Sequence, residues 1–419
     1  MIMNTRSHEV LVVGSGIAGV TAAYYLAKRG YAVTIIDRQR HAAMETSYAN
    51  GGQISVCNAE VWTRAKTVRQ GIQWMFDSNA PLLMNPTPSM SKFRWMAGFL
   101  SAAFTGKYLP NTLKTIELGL RSRDAMRHIM DDEKIDYDQS DCGILHIYRN
   151  QKALDHAVKM SELMQEHGLE RKVVDVDQIM EIEPGLHGAK DQLLGGTFTE
   201  NDFTGDIHKF CRELLEKMVS RGEVEFLRGR EVIRADEQGS HVDVDVETAR
   251  GEREFHKAKI VVVAAGAESS RRFDALRRYH VYPVKGYSIT VEVPPHQLYS
   301  MPQVSLLDDE RKLVSSTLGN RFRVAGTAEI NGWNRDIRED RIKPLLTWVN
   351  ELFPELDTEI VMRWACLRPM TPTMMPAPYA VTRRIYAHTG HGHLGWTLCA
   401  ATGEDLAEAV KKSHQPLYA

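Results

Sequence analysis

The segment GSGIAG at residues 14–19 constrains the fold more than any other part of the chain. It follows an apolar stretch, 9–13, that reads as a strand, and it opens a helix predicted over 17–29. Gly14 permits the tight turn, Gly16 lets the backbone approach a pyrophosphate, and Gly19 allows the helix to pack closely on the strand. A second predicted strand, 32–37, ends in Asp37, which can accept hydrogen bonds from ribose hydroxyls. The pattern therefore predicts a dinucleotide-binding βαβ unit.

Three later segments favour FAD over NAD as the dinucleotide. The loop ETSYANGGQIS at 45–55 is small and polar, and could follow a pyrophosphate towards a flavin ring. The run IVVVAAGA at 260–267 is a predicted buried strand leading into small residues. The segment GHGHLGW at 390–396 opens the last predicted helix, whose positive end suits the reduced flavin.

The predicted FAD contacts come from the glycine-rich turn, the loop after the second strand and the later turns. They are Gly14, Gly16, Ile17, Ala18, Gly19, Asp37, Arg38, Ser47, Ala49, Asn50, Gly51, Gly52, Gln53, Val232, Ala265, Gly266, Gly392, Leu394, Gly395, Trp396 and Thr397.

Composition narrows the class of protein. A chain of 419 residues allows two domains, and its net charge of −2 gives no reason to expect a nucleic-acid partner. The five cysteines are odd in number and none lies in a CxxC pair, so neither a disulfide framework nor a metal site is indicated. These features predict a cytoplasmic protein.

The stretch FRWMAGFLSAAF at 93–104 is the nearest approach to a membrane segment. It is too short to cross a bilayer, but Phe93, Trp95, Met96, Phe99, Leu100 and Phe104 could form one apolar helical face flanked by lysines. Packing on the protein's own core is the favoured interpretation. Peripheral association with the inner face of the cell membrane is the alternative.

Predicted strands that resemble the first strand of the chain occur again after a long insertion, which predicts a discontinuous nucleotide domain. Alternating apolar and polar residues at 288–293 and 321–327 indicate an antiparallel sheet, and residues 396–412 are predicted to form the last helix. The predicted fold is α/β with two interleaved domains. Residues 1–92, 190–280 and 373–419 form the Rossmann-like FAD-binding domain, and 93–189 and 281–372 form the substrate domain.

With these segments in place, the chain resembles the FAD-dependent D-amino acid oxidase superfamily, and within it the bacterial D-amino acid dehydrogenases. The resemblance rests on SYANGGQIS at 47–55, PVKGYS at 283–288, LRPMTP at 367–372 and TGHGHLGWT at 389–397. It extends over nearly the whole length, with the segments in the same order and at similar spacing.

The resemblance implies oxidation of a D-amino acid by hydride transfer to flavin, followed by hydrolysis of the imine to a 2-oxo acid and ammonia. It also implies that Arg368 pairs with the substrate carboxylate, with Arg363 and Arg321 as weaker candidates. Tyr287 could cover the substrate, Lys285 could supply positive charge near the ring, and His391 could contact flavin or substrate.

No second glycine fingerprint for NAD(P) is found in the sequence, which favours a quinone, a carrier protein or oxygen as the electron acceptor; the dehydrogenase branch of the resemblance favours the quinone or carrier protein.

The chain departs from this family after Arg368. The usual continuation contains Asp-Gly, whereas this sequence has Thr373 and Met374 there. Two other interpretations therefore stay open. One is a related flavoenzyme that oxidises secondary amines of the sarcosine or hydroxyproline type. The other is a non-catalytic flavin-binding subunit.

Overall fold

A computed structural model describes residues 5–74, 80–357 and 359–414. The strands are β1 (Thr5–Val13), β2 (Val33–Asp37), β3 (Gln53–Ile54), β4 (Leu82–Met84), β5 (Ile144–Tyr148), β6 (Lys172–Val174), β7 (Gly195–Thr199), β8 (Phe203–Thr204), β9 (Val224–Arg228), β10 (Arg230–Gln238), β11 (His241–Thr248), β12 (Arg253–Val263), β13 (Tyr282–Glu292), β14 (Ser305–Asp308), β15 (Leu313–Leu318), β16 (Arg321–Ile330), β17 (Ile360–Met370) and β18 (Ile385–Ala387). The α-helices are α1 (Ile17–Lys28), α2 (Ala65–Trp74), α3 (Met90–Phe104), α4 (Tyr108–Glu133), α5 (Gln151–Glu166), α6 (Val176–Ile182), α7 (Ile207–Ser220), α8 (Ser269–Arg272), α9 (Glu339–Leu352) and α10 (Gly395–His414).

The first sheet carries the glycine-rich turn. In the described residues its strand order is β10-β11-β12-β1-β2-β9, with β18 beside β12. The neighbours β12, β1, β2 and β9 run parallel, and Val10 pairs with both Ile260 and Val33. Strands buried on both faces suit a parallel sheet, which explains the uninterrupted apolar runs in β1 and β12. Apolar residues of α1, α7 and α10 share the main core cluster with this sheet.

The second sheet is mostly antiparallel and lies beside the first along the cavity described below. Its order in the described chain is β17-β13-β16-β15-β14-β5-β7-β6, with β4 beside β16. Helix α9 covers one part of it, and the indole of Trp348 is completely buried there.

The predicted fold class is confirmed, since a parallel nucleotide-binding type of sheet is interleaved with an antiparallel one. The proposed domain boundaries stay a prediction. Strands β4 and β7 pair within the second sheet, although both fall in segments assigned by sequence to the FAD-binding domain.

Helix α3 does not present the single apolar face that its sequence suggested. Trp95 is buried, donates its indole N–H to the Met370 carbonyl at 2.8 Å, and stacks on Phe99. Phe93 and Phe104, by contrast, are 68% and 65% exposed. The prediction is corrected because Trp95 and Phe99 lie on the opposite side of the helix from Phe93, Leu100 and Phe104. No helix in the described ranges is long and apolar enough to cross a membrane.

Candidate active site

A cavity of about 450 Å³ extends from the end of β1 to the face of the second sheet. All but six of the residues proposed from sequence for the cofactor or the substrate line it. The six that do not are Gly19, Lys285, Leu394, Thr397 and the two weaker arginine candidates, Arg321 and Arg363.

The three glycines of the first turn have different tasks. Gly14 has a φ of +104°, and a Cβ there would lie 2.6 Å from the Ala264 carbonyl oxygen. A Cβ on Gly19 would lie 1.8 Å from the Gly14 oxygen, so Gly19 serves close packing and not the ligand. In front of Gly16 the space is open, with only Ser47 Oγ at 3.5 Å. The turn therefore leaves room for a pyrophosphate at Gly16 and at the start of α1.

Asp37 lies at the end of β2, where a ribose would follow the pyrophosphate. Its carboxylate accepts hydrogen bonds from the Ser15 amide at 2.6 Å, the Ser15 hydroxyl at 2.7 Å and the Gln39 amide at 2.7 Å. Burial raises the pKa of Asp37, and the bonds from Gln39 and Ser15 oppose that rise. Arg38 also lines the cavity and pairs with Glu45 at 2.5 Å.

The loop after Arg38 is fastened to the second sheet. Ser288 and Ser316 donate their hydroxyls to the carbonyls of Ala49 and Gly51, each at 2.7 Å. The Gln53 amide donates to Ser305 Oγ at 2.7 Å. These bonds hold the loop across the junction of the two sheets. Further along the chain, Val232, Ala265 and Gly266 contribute to the same cavity wall, as do Asn50 and Gly52 from the loop itself.

Helix α10 closes the cavity at Gly392, Gly395 and Trp396. Gly392 has a φ of +62°, which suits the turn that delivers the helix start. Leu394 points instead into a small apolar cluster, and Thr397 accepts a hydrogen bond from the Ser55 amide at 3.1 Å. The cofactor contacts proposed for Leu394 and Thr397 are therefore replaced by roles in fixing α10.

His391 lines the cavity, but one of its nitrogens is already engaged. Its Nε2 lies 3.0 Å from the Thr402 hydroxyl, and Nε2 of His388 lies 2.9 Å from the same group. Nδ1 of His388 lies 2.7 Å from the Ala18 carbonyl oxygen in α1. Burial, followed by the neighbouring His388, lowers the pKa of His391 well below its ordinary value. His391 is thus a neutral group that fixes the wall of the cavity.

Arg368 is half-buried in the cavity wall, and no carboxylate within the described residues forms an ion pair with it. Its guanidinium donates to the carbonyl of Thr327 at 3.2 Å and approaches that of Gly326 at 3.5 Å. Desolvation lowers the pKa of Arg368, yet arginine remains charged in proteins. The cavity therefore contains a cation without an acidic partner in the described chain, and its remaining N–H groups suit an anionic ligand.

The two weaker arginine candidates lie elsewhere. Arg321 pairs with Asp138 and Asp206, and Arg363, which is half-exposed, lies 3.6 Å from Glu339. Neither lines the cavity.

The role proposed for Lys285 is corrected by the structure. Its ammonium is fully buried and lies 2.8 Å from Glu329, and it also donates to Asn334 at 2.7 Å. This charge is neutralised inside the second sheet and does not face the cavity. Tyr287 does line the cavity with its ring, while its hydroxyl donates to Glu329 at 3.0 Å. Burial, followed by the charge of Glu329, raises the pKa of Tyr287.

Sequence reasoning missed Trp62 and Glu60, which also line the cavity. Trp62 stacks with ring centroids 4.5 Å apart on His393, which the GHGH segment marks as a candidate contact together with His391. Burial, followed by the charge of Arg368, lowers the pKa of His393 to about 3. Glu60 accepts hydrogen bonds from Tyr108 at 2.6 Å and from His156 at 2.9 Å. Neither Trp62 nor Glu60 lies in a motif that could have drawn attention to it.

The turn after Arg368 keeps a left-handed residue despite the absence of Asp-Gly. Met374 stands in the position of the glycine and has a φ of +65°. Its amide donates to the Thr371 carbonyl at 3.2 Å, and its side chain is buried among apolar neighbours such as Trp95 and Tyr282. The turn is therefore formed by packing of the Met374 side chain, without the freedom that glycine gives.

Comparison with known proteins agrees with this geometry. The family model for FAD dependent oxidoreductases matches residues 9–409. The chain is 46% identical over 407 residues to D-amino acid dehydrogenase 3 of Mesorhizobium japonicum, covering 96% of this chain and 97% of that protein. It is 40% identical over 408 residues to D-amino acid dehydrogenase of Dechloromonas aromatica, covering 96% of each.

Two solved structures share the fold. Glycine oxidase from Geobacillus kaustophilus superposes with a TM-score of 0.75 at 20% identity, over 98% of this chain and 96% of that one. L-alpha-glycerophosphate oxidase from Mycoplasma pneumoniae, solved with FAD bound, gives 0.67 at 16% identity, over 97% and 95%. The predicted cofactor is confirmed as FAD, which the open space at Gly16 accommodates. The resemblance inferred from the sequence is confirmed too: the chain belongs to the family of FAD-dependent oxidoreductases.

Proposed function

We propose that this enzyme oxidises a D-amino acid to the corresponding 2-oxo acid and ammonia. The observation that carries the proposal is the half-buried guanidinium of Arg368, which lines the cavity and has no carboxylate partner in the described chain. A partly desolvated charge is stabilised by a partner of opposite sign, so the site favours a ligand that brings an anion. The relatives named D-amino acid dehydrogenase support the D-configuration of that ligand.

Binding and orientation are the tasks of the protein in this reaction. Arg368 can hold the substrate carboxylate through two parallel hydrogen bonds, which fixes the direction of the Cα–H bond. Bound FAD supplies the chemistry by accepting a hydride from Cα. No side-chain base is needed to remove the α-proton, which agrees with a cavity wall whose histidines, His391 and His393, have lowered pKa values and are therefore weak bases. Water then hydrolyses the imine product.

The test is an anaerobic titration of the FAD-loaded protein with D-amino acids, their L-enantiomers and N-alkyl glycines. We expect loss of the flavin absorbance with D-amino acids. Bleaching by N-alkyl glycines alone would identify a secondary-amine oxidising enzyme. A protein that binds FAD but is bleached by no member of the panel would contradict the catalytic proposal.

We further propose that the electrons pass to a quinone or a carrier protein, and that the protein is cytoplasmic and associates with the membrane surface through α3. Met90, Phe93, Leu100 and Phe104 follow one another at spacings of three, seven and four residues, so they share one side of the helix. All four are exposed, at 64%, 68%, 37% and 65%. We call these four residues the α3 stripe. Exposed Arg94 and Lys107 nearby suit anionic headgroups.

A further inference from the structure

The guanidinium of Arg368 bonds to two consecutive carbonyl groups of one strand. NH1 donates to the Thr327 oxygen, and NH2 lies 3.5 Å from the Gly326 oxygen. In a regular strand, successive carbonyls point to opposite sides, so both cannot reach the same group. Thr327 has a φ of +48°, which takes this residue out of the strand conformation and turns its carbonyl towards Arg368.

The pairing of β13 with β16 shows the same irregularity. Tyr287 faces Gly326 and Lys285 faces Glu329, so three steps along β16 match two steps along β13. This is a β-bulge, with one extra residue in β16. A β-branched residue in the left-handed region is strained, and such strain is typical of functional sites.

Gly286 completes the arrangement from the opposite strand. Arg368 in β17 pairs with Val284 in β13, two residues from Gly286 and on the same face. A Cβ on Gly286 would lie 2.4 Å from NH2 and 2.5 Å from Cζ of Arg368. The arginine side chain therefore crosses β13 at the one position without a side chain and ends at the bulge in β16.

We infer that Gly286 and the bulge at Thr327 are positioning residues that set the direction of the Arg368 guanidinium for carboxylate binding. This inference rests on the proposed function, in which Arg368 binds the substrate carboxylate. The carbonyls of Gly326 and Thr327 accept hydrogen bonds from one side of the guanidinium, and the backbone of Gly286 lies against its plane. The N–H groups that remain are the ones that can bind the ligand. The bulge thus acts on the substrate only through Arg368.

The first test is Gly286→Ala, measured by titrating the FAD-bound enzyme with acetate and following the flavin absorbance. Gly286 is not among the residues with positive φ, so alanine fits the backbone and displaces only the guanidinium. We expect acetate to bind roughly 30-fold more weakly, with KM for the D-amino acid raised more than kcat is lowered, because a bidentate charged contact is lost. FAD content should not change. Gly188→Ala, with open space around Cβ, is the matched control and should leave acetate binding as in the wild type.

The second test separates positioning from general damage. In an Arg368→Lys background, Gly286→Ala should weaken acetate binding by less than about threefold, because its effect passes through the guanidinium. An equal loss in both backgrounds would overturn the inference, as would an unaltered affinity in the single variant. A wild-type enzyme that binds no carboxylate would instead contradict the proposed function.

The bulge is tested by comparing Thr327→Gly with Thr327→Pro. Both variants lack the threonine hydroxyl, so a difference between them reports the backbone conformation at residue 327. Glycine permits a positive φ, whereas proline fixes φ at about −65°. We expect acetate to bind at least about tenfold more tightly to the glycine variant. Equal affinities would overturn the role of the bulge. If the proline variant does not fold, the wild type replaces it in the comparison: the glycine variant should then bind acetate as tightly as the wild type, and a loss as large as that of Gly286→Ala would overturn the role of the bulge.

Discussion

Arg368 lines the cavity and lacks a carboxylate partner in the described chain, and this combination distinguishes it from the other arginines considered for the site. Arg321 and Arg363 are satisfied by acidic neighbours, whereas Arg368 donates hydrogen bonds to carbonyl groups. The carbonyls offset part of the cost of desolvating the cation, but they leave its full charge uncompensated. In the proposed function, a ligand carboxylate would supply the missing charge.

Replacing Arg368 should therefore affect the substrate far more than the cofactor. Arg368→Ala and Arg368→Lys should each lower kcat/KM by roughly thirty-fold to several hundred-fold, which corresponds to about 2–4 kcal/mol of transition-state stabilisation. Lysine should rescue little, since a point charge cannot form the two parallel bonds. Steady-state kinetics and the FAD content check this, with Arg363→Ala as the control. Wild-type kinetics in both Arg368 variants would place the carboxylate elsewhere.

The sequence predicts single residues well when the chemistry is local. The glycines of the turn at residues 14–19 have the backbone conformation and close contacts that their pattern predicts, and Arg368, which the family resemblance singles out, lines the cavity. Lys285 was misjudged because its partner, Glu329, is brought beside it only by the pairing of β13 and β16. The left-handed Thr327 had no signal, since it follows from a register shift between two strands.

At the scale of elements, α3 shows what a hydrophobic pattern leaves undecided. Its apolar residues lie on two sides of the helix, and the tertiary contacts of Trp95 settle which side faces the protein. The α3 stripe is left exposed on the other side. The amino-acid pattern alone combined both sides into one face.

Aspartates at Phe93 and Leu100 test whether the α3 stripe binds membrane. Both positions are exposed, so Phe93→Asp/Leu100→Asp should fold and keep its activity with an artificial dye acceptor. It should lose binding to phosphatidylglycerol vesicles and lose quinone reduction, because charge in the lipid interface is costly. Val361→Asp, at another exposed apolar position, is the control. If the stripe variant binds vesicles like the wild type, the membrane proposal for α3 is wrong.

The turn formed by residues 371–375 illustrates how packing can replace a backbone preference. Met374→Gly would remove the strain of a left-handed methionine, worth about 1 kcal/mol, but would also empty a buried site, at about 2–5 kcal/mol. We expect net destabilisation of roughly 1–4 kcal/mol in urea unfolding. Lys134→Gly is the matched control, since Lys134 is exposed with a φ of +47° and should gain stability. A stabilised Met374→Gly protein would show that packing does not hold the turn.

At the scale of the whole molecule, His388 connects two helices that enclose the cofactor cavity. A carbonyl can only accept, so Nδ1 of His388 donates to Ala18 of α1, while Nε2 lies 2.9 Å from the Thr402 hydroxyl of α10. Burial lowers the pKa of His388 from 6.5 to about 4. The folded protein therefore holds this imidazole neutral at pH values where the unfolded chain would protonate it.

Stability should consequently fall as the pH drops from about 6.5 towards 4. In this window the unfolded chain binds more protons, and each such histidine contributes a slope of about 1.4 kcal/mol per pH unit. His391 and His393 act in the same direction, while Asp37, whose pKa is raised, acts in the opposite one. Urea unfolding of the FAD-bound protein at pH 7.5 and 5.0 measures the loss. His388→Asn should lose less stability between pH 7.5 and 5.0 than the wild type, whereas His296→Gln, at an exposed position, should lose as much as the wild type. An equal loss in the wild type and in His388→Asn would show that His388 does not cause the pH dependence.

The order of the strands also has a consequence for how the protein is made. The turn at residues 14–19 is synthesised before most of the sheet. Strand β1 pairs with β12, and β12 pairs with β18, so the sheet is complete only after β18 has been synthesised. Helix α10, which closes the cavity, is synthesised last among the described elements. A growing chain therefore has an incomplete nucleotide site until β18 and α10 have been synthesised, and we expect it to bind FAD only after that point. Ribosome-bound chains that stop before β18 should retain no flavin and should be degraded as unfolded proteins.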